Sequence, residues 1–125
     1  MVLVNVRKLW PAVLGGCRTA AEVTLGDWAQ MTDEDVERYG DVILGIFRNE
    51  VVSAFDVTGW KRRPDRRVTF QGVPSKSWAH LIGTPNPGKR WVPGQARPVQ
   101  YLATTALTHG TASVGDTPVG GRAIG

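Results

Sequence analysis

Gly83-Thr84-Pro85-Asn86-Pro87-Gly88-Lys89 has the residue order of the first seven positions of a phosphate-binding loop. Such a loop works by aiming backbone N–H groups at phosphates, with a following Ser or Thr on magnesium and a helix behind it. Pro85 and Pro87 delete two of those donors, Arg90 stands where the hydroxyl belongs, and Trp91-Val92-Pro93-Gly94 is a poor helix start. The segment before it reads as a helix where the motif needs a strand. This is a look-alike, and nucleotide hydrolysis is not expected.

Other catalytic chemistry is equally thin. His80 and His109 stand at metal-ligand spacing from no second histidine or cysteine. A Ser77–His80 pair three residues apart lacks any nucleophile turn. Cys17, the lone cysteine, cannot form an internal disulfide or a cysteine zinc site, and its simplest reading is a small buried apolar residue in a reducing compartment. The carboxylates Asp33, Glu34 and Asp35 have a helix-capping explanation given below. The expectation is therefore a protein that is not an enzyme, with no cofactor and no metal.

The tryptophans carry more. There are five in 125 residues, at positions 10, 28, 60, 78 and 91. Trp10 and Trp78 fall in short helical stretches and suit a core. Trp60 runs into Lys61-Arg62-Arg63, with Arg66 and Arg67 close behind, and Trp91 follows Lys89-Arg90 and precedes Arg97. An aromatic face beside cations is what single-stranded or flipped bases need, with stacking for the base and positive charge for the backbone. The competing reading makes Trp60 and Trp91 plugs at the ends of a small barrel, with the basic side chains merely solvated.

Charge is unevenly distributed along the chain. Glu22 to Asp56 holds nine acidic residues against Arg38 and Arg48, whereas Trp60 to Pro98 holds nine basic residues against Asp65. If the halves segregate in space, the surface is dipolar and steers charged partners. Arginine outnumbers lysine eleven to four, which a GC-rich coding sequence would also produce.

The elements that must position these residues are legible in part. Val2, Val4 and Val6 alternate with Leu3, Asn5 and Arg7 as a first strand with one buried face. Leu9 to Leu14 suits a short helix, with Pro11 in its first turn and Gly15-Gly16 ending it. Ala20 to Leu25 reads as a short strand and Gly26-Asp27 as a turn. Thr32 caps a helix over Asp33–Tyr39, with Asp35 three residues on, a Met31–Val36 hydrophobic staple and Gly40 as the stop. Val42–Phe47 and Val51–Val57 form a hairpin across Arg48-Asn49-Glu50, and Arg67–Phe70 adds a third strand. Ser75 or Ser77 caps a short helix through Ile82, Thr84 to Pro98 is an irregular loop, and Val99–Leu102 is a closing strand. From residue 108 onward little can be buried, so a domain over 1–107 and a disordered tail over 108–125 are expected.

This order of elements resembles the PUA-like β-barrel superfamily, which includes the ASCH, EVE and YTH domains. The stretch DVILGIFRNEVVSAFDVTGW followed by RVTFQG is similar to the central strands of such domains, and TLGDW (Thr24–Trp28) to an early turn. The resemblance covers about residues 2 to 104. It implies RNA or modified-base binding in an aromatic-lined pocket between barrel and helices. Trp28, Trp60 and Trp91 become pocket candidates, with Arg62, Arg63, Lys89 and Arg90 as backbone contacts.

The expectation is thus an α+β domain, a small antiparallel β-meander or partly open barrel with two or three short helices. Its surface of Trp28, Trp60, Lys61, Arg62, Arg63, Arg66, Arg67, Lys89, Arg90, Trp91 and Arg97 would bind RNA or single-stranded or modified DNA. The alternative is a small accessory or phage-type protein that docks on a host protein through the acidic face near Asp33–Asp41 or an apolar patch. No apolar run approaches the ~18 residues of a membrane span, and the first residues lack the order of a secretory signal. A cytoplasmic location is expected.

Overall fold

Strands form where β-branched and aromatic residues run together. The computed structural model describes residues 1–92 and 97–103; the expected boundary at 107 and the tail over 108–125 lie outside the described residues. The strands are β1 (Val2–Asn5), β2 (Val42–Phe47), β3 (Glu50–Arg62), β4 (Val68–Pro74) and β5 (Val99–Tyr101). They build one sheet in the order β4-β3-β2-β1-β5. β2, β3 and β4 are an antiparallel meander. β1 pairs parallel with β2 and antiparallel with β5, so the sheet is mixed, and it does not close.

A parallel pair requires a crossover. Here it is made of three short helices, α1 (Trp10–Leu14), α2 (Ala20–Leu25) and α3 (Asp33–Tyr39). They cover one face of the sheet, where Val2, Val4, Val6, Val23, Leu25, Val36, Ile43, Phe55 and Phe70 form the larger core. The other face holds Met1, Leu3, Leu44, Ile46, Val51, Trp78 and Trp91. β1 is therefore buried on both faces, not on one as its alternation suggested, because it lies between two neighbours with a layer on each side.

α3 has the expected bounds, with the Thr32 hydroxyl accepting from the Asp35 amide at 3.1 Å, and Met31 and Val36 both buried. α2 corrects the expected strand. Thr19 accepts from the Glu22 amide at 3.1 Å, and the Glu22 carboxylate accepts from the Thr19 amide at 2.8 Å. This capping box starts a helix that buries Val23, Thr24 and Leu25 on the sheet, and packing overrides the β preference of Val and Thr.

Three further expectations are revised. The helix expected up to Ile82 is a single 3₁₀ turn, Ala79–Leu81, because Ser75 accepts the Trp78 amide at 3.1 Å and Trp78 is anchored in the core before a full turn can form. Glu50 belongs to β3 opposite Phe47. The hairpin is a two-residue turn, with Arg48 at φ 53° and Asn49 at φ 60°, the left-handed pair that suits a tight hairpin. Cys17 is exposed, not buried, because it lies just past the end of α1.

β3 is the longest strand. Beyond Asp56 its partner is β4, across an irregularity between Val57 and Gly59. This arm is pinned to the α2–α3 connection, where Trp28 and Val68 exchange backbone hydrogen bonds of 2.9 Å in both directions.

Candidate functional site

The groove is built by four segments far apart in the sequence. β1 ends at Asn5, and the chain turns tightly, with the Leu9 and Trp10 amides donating to the Val6 carbonyl at 3.1 and 2.8 Å. Val6 and Trp10 are buried, so Arg7 and Lys8 between them stay exposed at the tip of the turn. The Asn5 side chain fixes this turn by accepting from the Arg7 amide at 3.1 Å. Opposite, the β4 arm delivers Arg67 beside the Trp28–Val68 pair. The approach to β5 delivers Arg97 and Pro98, with the Pro98 carbonyl accepting from the Asn5 amide at 2.8 Å.

These segments enclose an open groove of about 640 Å³ whose walls include Arg7, Lys8, Asp27, Trp28, Arg67 and Arg97. Trp28 is half-buried, and its indole N–H donates to the Thr24 carbonyl at 2.9 Å, which fixes the ring on the end of α2. Among the described residues, none of the four groove cations forms an ion pair. Among the described residues Asp27 is the one carboxylate lining the groove. Its Oδ1 accepts from the Thr69 hydroxyl, and its Oδ2 lies 3.7 Å from Arg63 Nε. The groove therefore carries an excess of positive charge against a partly neutralised acid, which concentrates anions.

Of the residues singled out in the sequence, the groove gathers Trp28, Arg67 and Arg97. Arg62 serves the fold. Its Nε and Nη2 donate to Asp33, its Nη1 to the Arg66 carbonyl at 2.7 Å, and its Nη2 also to the Met31 carbonyl at 2.7 Å. Arg63 pairs with Asp27 and Asp65. Trp60 is half-buried on the helix-side core and faces Phe70 across the ladder. Lys61 and Arg66 are exposed on the arm, outside the groove walls.

Trp91 is buried in the core of the other face, apart from Trp28 and Trp60. Asn49 holds its backbone from both sides, at 2.8 and 2.9 Å, and its indole N–H donates to the Arg97 carbonyl at 2.9 Å. Trp91 thereby positions the segment that carries Arg97. Lys89 and Arg90 are exposed. The phosphate-loop look-alike has its donors engaged within the protein, with Asn86 Oδ1 accepting the Gly88 amide and Gln100 Oε1 of β5 accepting the Lys89 amide.

Arg7, Lys8 and Asp27 are groove residues that the sequence did not single out, Asp27 being legible there only as part of a turn. The signal for the two cations is a basic dipeptide directly after the first strand, visible as charge but unplaced until the fold brings it into one groove with Arg67 and Arg97. His80 is exposed and stacks on Trp78, with ring centroids 6.1 Å apart. Among the described residues no group of His, Cys, Asp and Glu is arranged to hold a metal, and no helix is long and apolar enough to cross a membrane. The chain matches no family model, no curated protein and no solved structure.

Proposed function

We propose that the chain binds single-stranded nucleic acid, RNA or DNA, in the groove between the β1–α1 turn, the α2–α3 connection and the β4 arm. The observation that carries this reading is the convergence on a groove walled by Trp28 of four cations, Arg7, Lys8, Arg67 and Arg97, that have no ion-pair partner among the described residues. Cations contact the phosphates and position the strand. An indole ring offers a stacking face that any base can use. The groove's volume is within the roughly 300–1,000 Å³ of pockets that hold compact ligands.

The sequence resemblance to the PUA-like superfamily implies the same ligand class, RNA or modified bases in an aromatic-lined pocket between barrel and helices, although the sheet here is open. In this proposal Trp28 is the stacking residue, and Trp60 and Trp91 are structural.

The test is fluorescence anisotropy of a labelled single-stranded octanucleotide. Trp28→Ala should weaken binding by about 1–3 kcal/mol, the worth of one base stack, whereas Trp60→Phe should leave it unchanged. Heparin run alongside reports generic polyanion binding. Full competition by heparin together with an indifferent Trp28→Ala would reduce the groove to bulk electrostatics.

A further inference from the structure

Asp27 is out of keeping with a groove that only attracts phosphates, because a carboxylate among four cations weakens that attraction. It is also not swallowed by the fold. Its side chain keeps 38 % of its exposure while two neighbours orient it, Thr69 on Oδ1 and Arg63 on Oδ2. An ionised carboxylate has about four acceptor positions over its two oxygens. Among the described residues each oxygen has one partner, which leaves each with capacity for a further donor.

We propose that Asp27 makes the groove select guanine, an inference that rests on the groove's binding a nucleic-acid strand. The four bases differ in the edges they present. Guanine alone sets two adjacent donors, N1–H and N2–H, on its Watson–Crick edge, matching two carboxylate oxygens side by side. Cytosine and adenine each place an acceptor nitrogen next to their amino group, and uracil flanks its single N–H with two carbonyls. Against a fixed carboxylate those acceptors repel, so Asp27 attracts guanine and rejects the others. The cations and Trp28 supply binding that is indifferent to sequence, and Asp27 adds the discrimination, in keeping with the general division between backbone and base contacts.

Four labelled RNA octamers test this: octauridylate, and versions with one central guanosine, adenosine or cytidine. The wild-type protein should bind the guanosine octamer about tenfold more tightly than the others, the scale of one good bidentate base contact. Asp27→Asn, which presents one donor and one acceptor, should erase that preference while retaining binding to all four. Thr69→Val, which frees the carboxylate, should reduce the preference without abolishing binding. Equal, salt-sensitive binding of all four octamers by the wild type would overturn the guanine assignment and leave the groove reading intact. A guanosine preference undiminished in Asp27→Asn would also overturn it. Failure of every octamer to bind would remove the groove reading, and this inference with it.

Discussion

Arg62, near the far end of β3, donates from Nε at 2.9 Å to Asp33 in the first turn of α3. The same guanidinium reaches the carbonyls of Met31 and Arg66, so one side chain ties the β3–β4 arm to the helix that ends the crossover. The arm and the α2–α3 connection form opposite sides of this latch, and they also carry the groove residues Arg67, Asp27 and Trp28. Groove geometry therefore depends on a charge pair outside its own walls.

Arg62→Ala should cost about 1–3 kcal/mol, with the solvent-facing half of the Asp33 pair contributing least. Arg62→Lys should recover little of this, because an ammonium lacks the planar fork that serves three acceptors. Urea unfolding checks the magnitude. Hydrogen exchange should show faster opening at Lys61 to Thr69 than in the sheet centre, and uniform acceleration everywhere would argue against a local latch.

Gly45 on β2 permits close docking of α2. A Cβ there would sit 2.2 Å from the Ser53 hydroxyl and 3.0 Å from that of Thr24, which are bonded to each other at 2.7 Å in the core. Gly45→Ala should destabilise by about 1–3 kcal/mol through overpacking. Thermal unfolding measures this, and a neutral result would show that α2 can lift away without penalty.

Phe55 and Phe47 flank the same hairpin with different burial. Phe55→Ala should cost about 3–5 kcal/mol, because its ring lies in the helix-side core. Phe47→Ala should cost distinctly less, since its ring is only half-buried and lies beneath the Arg48 guanidinium, 5.2 Å from the ring centroid. Chemical denaturation of the pair checks the ranking, and equal costs would contradict the unequal burial of the two rings.

Tyr101 titrates above its ordinary value near 10, first because burial disfavours the phenolate and then because Asp35 repels it, with Arg97 offsetting part of the rise. The folded state thus holds this proton more tightly than the unfolded chain. Its contribution to stability is complete below pH ~10 and is lost as pH rises through the folded value. Wild type should lose stability in that alkaline window relative to Tyr101→Phe. Urea midpoints of the two proteins from neutral pH to pH ~11 test the difference, and parallel curves would contradict it.

How far the fold could be read depended on how local its causes are. The α3 cap at Thr32 and the staple Met31–Val36 are determined by neighbours in sequence and stand where their residues indicate, as does the pairing of β2 with β3, although its turn is one residue shorter and β3 runs on to Arg62. α2 had an equally local sign in Thr19 and Glu22, but Val23-Thr24 drew attention to strand preference, and only the packing against Gly45 and Ser53 settles it. The tryptophans show the limit most clearly. Trp60 and Trp91 sit beside basic runs in sequence, yet one packs against the helix-side core and the other in the core of the opposite face. The groove joins residues 7, 28, 67 and 97, and no local spacing connects a basic dipeptide after the first strand to an arginine some ninety positions later.

The most direct test of the account is the salt dependence of single-strand binding by the wild type and by Arg67→Ala/Arg97→Ala. With about four phosphates met by the groove, log K against log salt should fall with a slope near −3, and the double variant should reduce it to about half. Both arginines are exposed, so the variant should keep its fold, verified by an unchanged thermal midpoint. A folded double variant with the wild-type affinity and slope would contradict the claim that this groove binds the strand.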